Sequence, residues 1–515
     1  MRLPTSISSL ATLTLGLLAS TLPTTFAAPY KNRTSMPRTL ITTDMESDDL
    51  TSLIRYLLYS NELDTQAIIY SSSRFHWAGD GKGTKFFLGD REYDSPQWNW
   101  RWVGSRYIQD IVLPRYTEVW PNLNNHDPFF PSPDEVAGII KIGNVAFEGE
   151  MQMDTEGSEY IKTLLLDEED ERTLYMQAWG GTNVIARALK SIEDIYSTRS
   201  NWSDIQASIS RKGVILASGF QDNTYTEYIA PRWPDLRVED FSAGYATWAY
   251  NCDRGQGNVR GLPDDHVYFT GEWTKEYITK GPYGKLYRSW LDNQIMPGDA
   301  LDTFGNKSWL ETSAQMCQPL EPYAFLSEGD NVVFYPLLNT GLQDPANPEL
   351  GNWGGRAKRN SSSKADIWDL VESEKGKNGS EIENWTFNRW IAPIQNDFAA
   401  RMQWTLSANY SHGNHAPLVE VLNGTRLDVS AGENVRLVGR ASDPDGDTVE
   451  TSWWRYEEEG TYEGTVDFSS SKGTTTEVTV PEDARTGETI SIIFQGTDNG
   501  GIPLTRYSRV MIHIL

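Results

Sequence analysis

Four carboxylates fall within six positions, at Asp44, Glu46, Asp48 and Asp49. Asp and Glu make up 71 of the 515 residues, so this density is well above what composition supplies. Carboxylates so close together repel and desolvate one another, and they call for a cation or for open water. In an extended segment Asp44, Glu46 and Asp48 point the same way, and Asp49 opens the helix pattern that follows. Such a group can chelate a hard divalent ion through oxygen, and calcium takes roughly six to eight such ligands in irregular geometry. A carboxylate beside a bound water can also take its proton, help worth roughly 10² to 10⁴ in rate. The bland alternative is a solvated turn before a helix whose positive end favours acids.

The elements around the cluster bear on that choice. Thr39–Thr43 reads as a strand, and Leu50, Leu53, Ile54, Leu57 and Leu58 then recur at helical spacing. Further apolar strands are expected at Gln66–Ser71, Thr173–Ala178 and Gly213–Ala217. Thr173–Ala178 runs into Gly180-Gly181 and a helix carrying Val184, Ile185, Ala188, Leu189 and Ile192. This alternation predicts an α/β fold, an open and mostly parallel sheet covered by helices. Ligands of such sheets bind beyond the carboxyl ends of the strands, where the acidic cluster and the Gly-Gly turn can lie side by side. Residues 74–160 read as irregular, with Trp98, Trp100 and Trp102 alternating as either core packing or a sugar-stacking face. Residues 352–385 read as a polar surface excursion. After about residue 412 the segments are short and β-rich, at Asn434–Val438, Val449–Trp454, Glu477–Val480 and Ile490–Gln495, and predict a separate β-sandwich. Its run Asp443-Pro444-Asp445-Gly446-Asp447 is a calcium loop or a tight turn.

Composition narrows the partners. A basic start and the apolar run Leu10–Ser20 lead to Thr25-Phe26-Ala27, the pattern of a signal peptide over residues 1–27. The expected organisation is therefore 1–27 leader, 28–412 α/β domain and 413–515 Ig-like sandwich, in a secreted chain with no membrane span. Eight Asn-x-Ser/Thr sequons, beginning with Asn32 and ending with Asn423, agree with export and glycosylation. Cys252 and Cys317 are the only cysteines, either one disulfide or two buried thiols. A net charge of −26 argues against nucleic acid or an anionic membrane. Nineteen Trp residues make a carbohydrate partner plausible by composition.

The motif Ile41-Thr42-Thr43-Asp44-Met45-Glu46-Ser47-Asp48-Asp49 resembles the N-terminal Asp-x-Asp-x-x-x-Asp-Asp signature of the nucleoside hydrolase superfamily. Ala178-Trp179-Gly180-Gly181-Thr182-Asn183 resembles its second motif, and Glu328-Gly329-Asp330 lies where the family supplies a late Asp. Ser327–Asp330, Asn339–Leu342 and Gly351–Arg356 bring the chain nearer to secreted nucleoside-hydrolase-like proteins with an appended sandwich, described as Sde182-like cellulose-binding proteins. The resemblance implies Ca²⁺ held by Asp44, Asp49, Asp330 and the Trp179 carbonyl. It also implies Asp44 as general base and Asp48 on a sugar hydroxyl. Glycosidic cleavage through an oxocarbenium-like state is the implied chemistry.

The departures are informative. Thr42 stands where the family has its first Asp, and Met45-Glu46 replaces a Pro-Gly turn. Glu46, His76, Asn183, Asp222 and Asn223 are candidate substrate contacts, with Arg74 and Gln221 nearby, each set against an ordinary structural role. No residue matches one that would recognise a nucleobase, so the expected substrate is a nucleoside-like or furanosidic sugar or a plant-wall polysaccharide. Three readings follow: a calcium-dependent glycosidase, a carbohydrate-binding protein that kept the fold without turnover, or an adhesion scaffold using the sandwich.

Overall fold

The computed structural model describes residues 32–244, 263–299, 301–310, 321–326, 328–376 and 379–515. The expected leader, Cys252, Cys317 and the sequon at Asn378 lie outside the described residues.

The α/β fold is present. Eight strands form one sheet: β1 (Arg38–Thr43), β2 (Asp64–Tyr70), β3 (Ile140–Ile142), β4 (Leu174–Ala178), β5 (Gly213–Ala217), β6 (Arg237–Asp240), β7 (Ala357–Arg359) and β8 (Ile367–Leu370). Their order is β3-β2-β1-β4-β5-β6-β8-β7, and only the β7–β8 pair is antiparallel. β1, β4 and β5 are buried at every residue, which explains their continuous apolar runs. The strand order reverses between β1 and β4, and a crevice opens there at the carboxyl ends. Helices α1 (Ser47–Leu57), α2 (Leu113–His126), α3 (Pro133–Ile139), α4 (Glu156–Leu166), α5 (Asn183–Tyr196) and α6 (Trp202–Lys212) cover the sheet. Among the described residues, no helix is long and apolar enough to cross a membrane.

Three local expectations change. Residues 74–160 contain α2, α3 and β3, with Pro121 inside α2 obscuring its helical pattern. The three indoles do not share a strand face. Arg101 has φ +49°, which breaks the alternation, and Trp98 stays 59 % exposed with Lys85 Nζ 4.4 Å above its ring. Residues 352–385 are no mere excursion, because they supply β7 and β8 and bury Trp353 fully.

The C-terminal region is a sandwich of two four-stranded sheets. One contains Leu418–Val421, Asn434–Ser442, Thr475–Thr479 and Asp467–Phe468, and the other Arg426–Val429, Thr505–Ile514, Thr489–Asp498 and Val449–Arg455. Leu437, Trp453, Val478, Ile492, Phe494 and Val510 fill the space between them. The sandwich is not a free-standing module. Ile493, on the opposite face of its strand from Ile492 and Phe494, joins Tyr456 and Tyr507 in the main core of the α/β unit. Gly341, at φ +91°, lies so close to the Tyr507 carbonyl that a Cβ would sit 1.7 Å from its oxygen. Arg509 donates to the Leu342 carbonyl at 2.9 Å, and the Gly351 amide donates to Glu459 at 2.6 Å. The stretches Asn339–Leu342 and Gly351–Arg356 are therefore seats for the sandwich. In the Asp443–Asp447 loop, the Asp443 carboxylate accepts the Asp445 and Asp447 amides at 2.8 and 3.1 Å, and Asp445 pairs with His415 at 3.0 Å.

A buried ion-pair cluster fastens the same junction. Asp397, on the helix Ile391–Trp404, takes Arg506 of the sandwich at 2.7 Å and Arg401 at 2.8 Å. Burial works against the Asp397 carboxylate, but the two guanidiniums hold it down to about 2 against an ordinary 3.8. A depressed folded-state value stabilises the fold above the unfolded value, and that contribution is lost as pH falls from about 4 through 2. Asp397→Ala is expected to cost about 3–5 kcal/mol at pH 7, because it strands buried guanidiniums. Urea unfolding at pH 7 and pH 3 should show the wild-type advantage shrinking at the lower pH.

Candidate metal and sugar site

β1 ends at Thr43, and Asp44 and Met45 make the turn into α1. Met45 has φ +59° and is fully buried, an unusual conformation for a residue with a Cβ. The Thr43 hydroxyl supports this turn by accepting the Met45 amide at 3.0 Å and donating to the Asp49 carboxylate. Asp48 and Asp49 occupy the first turn of α1, where the helix dipole favours negative charge.

β4 brings the second wall. Trp179 packs its indole into the core against Tyr56 and Phe334, while its backbone carbonyl accepts Gln221 Nε2 at 2.8 Å. A Cβ on Gly180 would lie 2.9 Å from the Asp44 carboxyl carbon, so the glycine lets the strand end pass under that carboxylate. Asp330 arrives from a distant loop. Its neighbour Glu328 fixes that loop by accepting Arg55 of α1 at 2.8 Å, Asn331 at 2.8 Å and the Tyr287 hydroxyl.

Oxygen atoms of Asp48, Asp49 and Asp330 lie within 4.8 Å of one another. A second group joins Asp44, Glu46 and His76 on the same criterion. Neither oxygen of Asp44 or of Asp330 meets a hydrogen-bond donor, although both residues are buried, and Asp48 Oδ1 is also unpaired. Burial and mutual repulsion set the electrostatics. Asp49 is pushed well above the carboxylate range by burial, then by Asp330, Asp44 and Asp48, and Asp330 by burial, then by Asp48 and Asp44. Burial and Asp44 raise Asp48 to about 7, and burial raises Glu46 to about 8 against the opposing pull of His76. Buried carboxylate oxygens without donors are the donor set of a hard divalent cation, and the Trp179 carbonyl keeps a second lone pair beside its bond to Gln221.

His76 sits fully buried across the crevice. Its Nδ1 is 3.7 Å from Asp44 and 3.6 Å from Glu46, and its Nε2 is 3.6 Å from Asp299. Asp299 and Arg101 belong to no motif of the sequence. Arg101 grips Asp299 at 2.9 and 3.0 Å and reaches Glu46 at 3.4 Å. Burial opposes the Asp299 charge, yet His76 and Arg101 hold its carboxyl well below the usual range. The only local signal was a cation among the indoles of Trp98–Trp102.

The structure gives other candidates different work. Asp222 caps α5: its carboxylate accepts the Asn183 amide at 3.1 Å and the Thr224 amide and hydroxyl at 2.9 and 2.6 Å. Asn183 spends its side-chain amide on Ser72, Asn144 and Glu150. Asn223 is exposed and turns to Glu227 at 3.3 Å, and Arg74 donates to the Asp90 carbonyl at 3.0 Å. These bonds tie Asp222, the Asn183 amide, Asn223 and Arg74 into the loop framework, while Asn183 Oδ1 stays without a partner.

Residues 38–357 match the family described as "Cellulose-binding Sde182, nucleoside hydrolase-like domain". This chain belongs to that family. Residues 434–514 match the companion description "Cellulose-binding protein Sde0182, C-terminal domain". Among solved structures the chain is similar to a nucleoside hydrolase-related hypothetical protein from Saccharophagus degradans described as associated with carbohydrate metabolism. The identity is 26 %, the TM-score 0.67, and the match covers 93 % of this chain and all of that one. A plant nucleoside hydrolase, PpNRh1, aligns at 10 % identity and TM-score 0.31, over 72 % of this chain and 99 % of its own. No curated protein matches.

Two substitutions probe the crevice. Asp330→Asn removes one of the mutually repelling carboxylates, so it is expected to raise the melting temperature in chelator by roughly 2–4 °C. The wild type is expected to melt higher on adding calcium or magnesium, and the same change should abolish that shift. Gly180→Ala should displace Asp44 and also lose the cation response, but with a lower melting temperature throughout. Calorimetry with and without chelator checks both.

Proposed function

We propose that this protein is a secreted, calcium-dependent hydrolase that cleaves an N- or O-glycosidic bond of a furanosidic sugar or plant-wall glycan. The observation that carries the reading is the set of buried Asp44 and Asp330 oxygens without donors, gathered at the sheet's switch point beside Asp48 and Asp49. Asp44, Asp49, Asp330 and the Trp179 carbonyl would hold the ion. When bound, calcium supplies a fixed charge that acidifies a water and orients vicinal sugar hydroxyls.

The chain's own residues account for the remaining work. Asp44 has free carboxylate oxygens to accept a proton from the attacking water. Asp48 offers its unpaired Oδ1 to a sugar hydroxyl. Surrounding negative charge favours a developing oxocarbenium ion at the anomeric carbon. His76, held between Asp299 and the Asp44–Glu46 pair, presents its ring to the same space, and Arg101 steadies Asp299 and Glu46 behind it. The basis for export is the leader-like segment and the eight sequons.

A second reading, a carbohydrate-binding protein without turnover, draws support from the Arg101–Glu46 contact, which brings a cation into the crevice, and from the family's cellulose-binding description. Metal analysis and a sugar-release screen on wild type and Asp49→Ala separate the two. The expected result is stoichiometric calcium in the wild type, and a variant that loses the metal and at least 10²-fold in sugar release, in line with the loss of a catalytic electrostatic group. Calcium without cleavage of any furanoside or wall polymer favours the binding reading. No calcium in the wild type, with Asp49→Ala changing neither stability nor release, removes the site altogether.

A further inference from the structure

A second cavity, of about 860 Å³, opens where the sandwich meets the helix Ile391–Trp404, and it shares no residue with the acidic crevice. Its size falls in the range of about 300–1,000 Å³ typical of ligand clefts. The floor is the sandwich's outer sheet face. Register places Gln495 opposite Tyr507 and Thr497 opposite Thr505, with Trp454 on the next strand. The wall is aromatic: Trp390 lies 6.2 Å from Trp454 and 5.5 Å from Tyr507 between ring centroids. Arg389 stacks 4.1 Å over Tyr456 and about as near to Trp390 as to Trp454, at 5.3 and 5.4 Å. Its Nη1 makes no hydrogen bond and lies 3.5 Å from Glu374 and 3.6 Å from Glu458.

The charges around the rim balance. Lys375, Arg389 and Arg455 face Asp265, Glu457 and Glu458, three of each sign in a chain that carries −26 overall. Such a cleft has no preference for an anionic or cationic ligand. Apolar ring surface, amide and hydroxyl groups and a guanidinium donor instead suit a ligand that is neutral, rich in hydroxyls and partly apolar on its flat faces.

We infer that this cleft binds a neutral glycan chain, and that it is the polymer-gripping site of the protein, distinct from the crevice that acts on the sugar bond. The inference rests on the carbohydrate reading above but not on turnover or on calcium. The sheet and the helix that form it contribute to one continuous core, so a glycan seated there is held by both units of the protein at once.

The test is calorimetric titration of the full chain with cellohexaose and laminarihexaose, and with oligogalacturonate as an anionic control. Thr497→Trp fills the cleft from a half-buried position without removing a packed ring, and Trp454→Ala removes part of the wall. Each is expected to weaken neutral-glycan binding at least tenfold and to leave Asp49-dependent sugar release from a small substrate unchanged. Asp49→Ala should do the converse. Trp454→Tyr should recover part of the affinity, which separates loss of a contact from misfolding. Wild-type binding by Thr497→Trp, no neutral-glycan binding by the wild type, or tighter binding of the anionic control each overturns the inference. None of these outcomes bears on the acidic crevice, whose own test is metal content and sugar release.

Discussion

Everything in the α/β unit is arranged around a repulsion. Asp44, Asp48, Asp49 and Asp330 are buried close together, and like charges in a low-dielectric crevice raise one another's proton affinity. Left to relax, they would separate or draw in water. The scaffold prevents this at several points: a threonine hydroxyl pinned between turn and helix, a glycine beneath Asp44, and the Glu328 hub that ties the Asp330 loop to α1. Arg55 in that hub also stacks 3.7 Å over Phe398, so the loop carrying Asp330 is braced by the helix Ile391–Trp404. Behind the atoms that face the crevice, Glu328 is paired with Arg55 and Asp299 with Arg101.

Glu46 marks where this chain departs from its resemblance. The structure gives it partners, His76 on one side and Arg101 on the other. The additional acid therefore does not simply enlarge the negative cluster. It belongs to a second network, running through His76 and Asp299, that lies against the first. The crevice thus has an oxygen-only side and a mixed side with an imidazole and a guanidinium, and a sugar between them would meet different chemistry on its two faces.

Much of this was readable in the residues. Gly213–Ala217 is a strand with the bounds its apolar run implies, and β1 and β4 differ from expectation by one residue each. The acidic cluster and the Gly-Gly turn do meet, because parallel topology fixes which strand ends are neighbours. What escaped has physical causes. β3 and β7 are three residues long, and β6 is Arg-Val-Glu-Asp, too short and too polar for periodicity to register. Arg101 and Asp299 are 198 positions apart and meet only through loop geometry. Asp222 and Asn183 follow strands in the sequence, but the start of α5 and the neighbouring loops take up the Asp222 carboxylate and the Asn183 amide.

The glycines at 341 and 351 have a consequence for inheritance. Many appended sandwiches hang from a linker and can be exchanged between proteins as cassettes. Here the backbone of the α/β unit approaches the sandwich too closely for any side chain, and Arg509 of the sandwich donates into that backbone at Leu342 and Gly351. A foreign sandwich would meet a socket cut for another shape. A change on either surface has to be answered on the other, and the chain is better regarded as one unit than as two exchangeable modules.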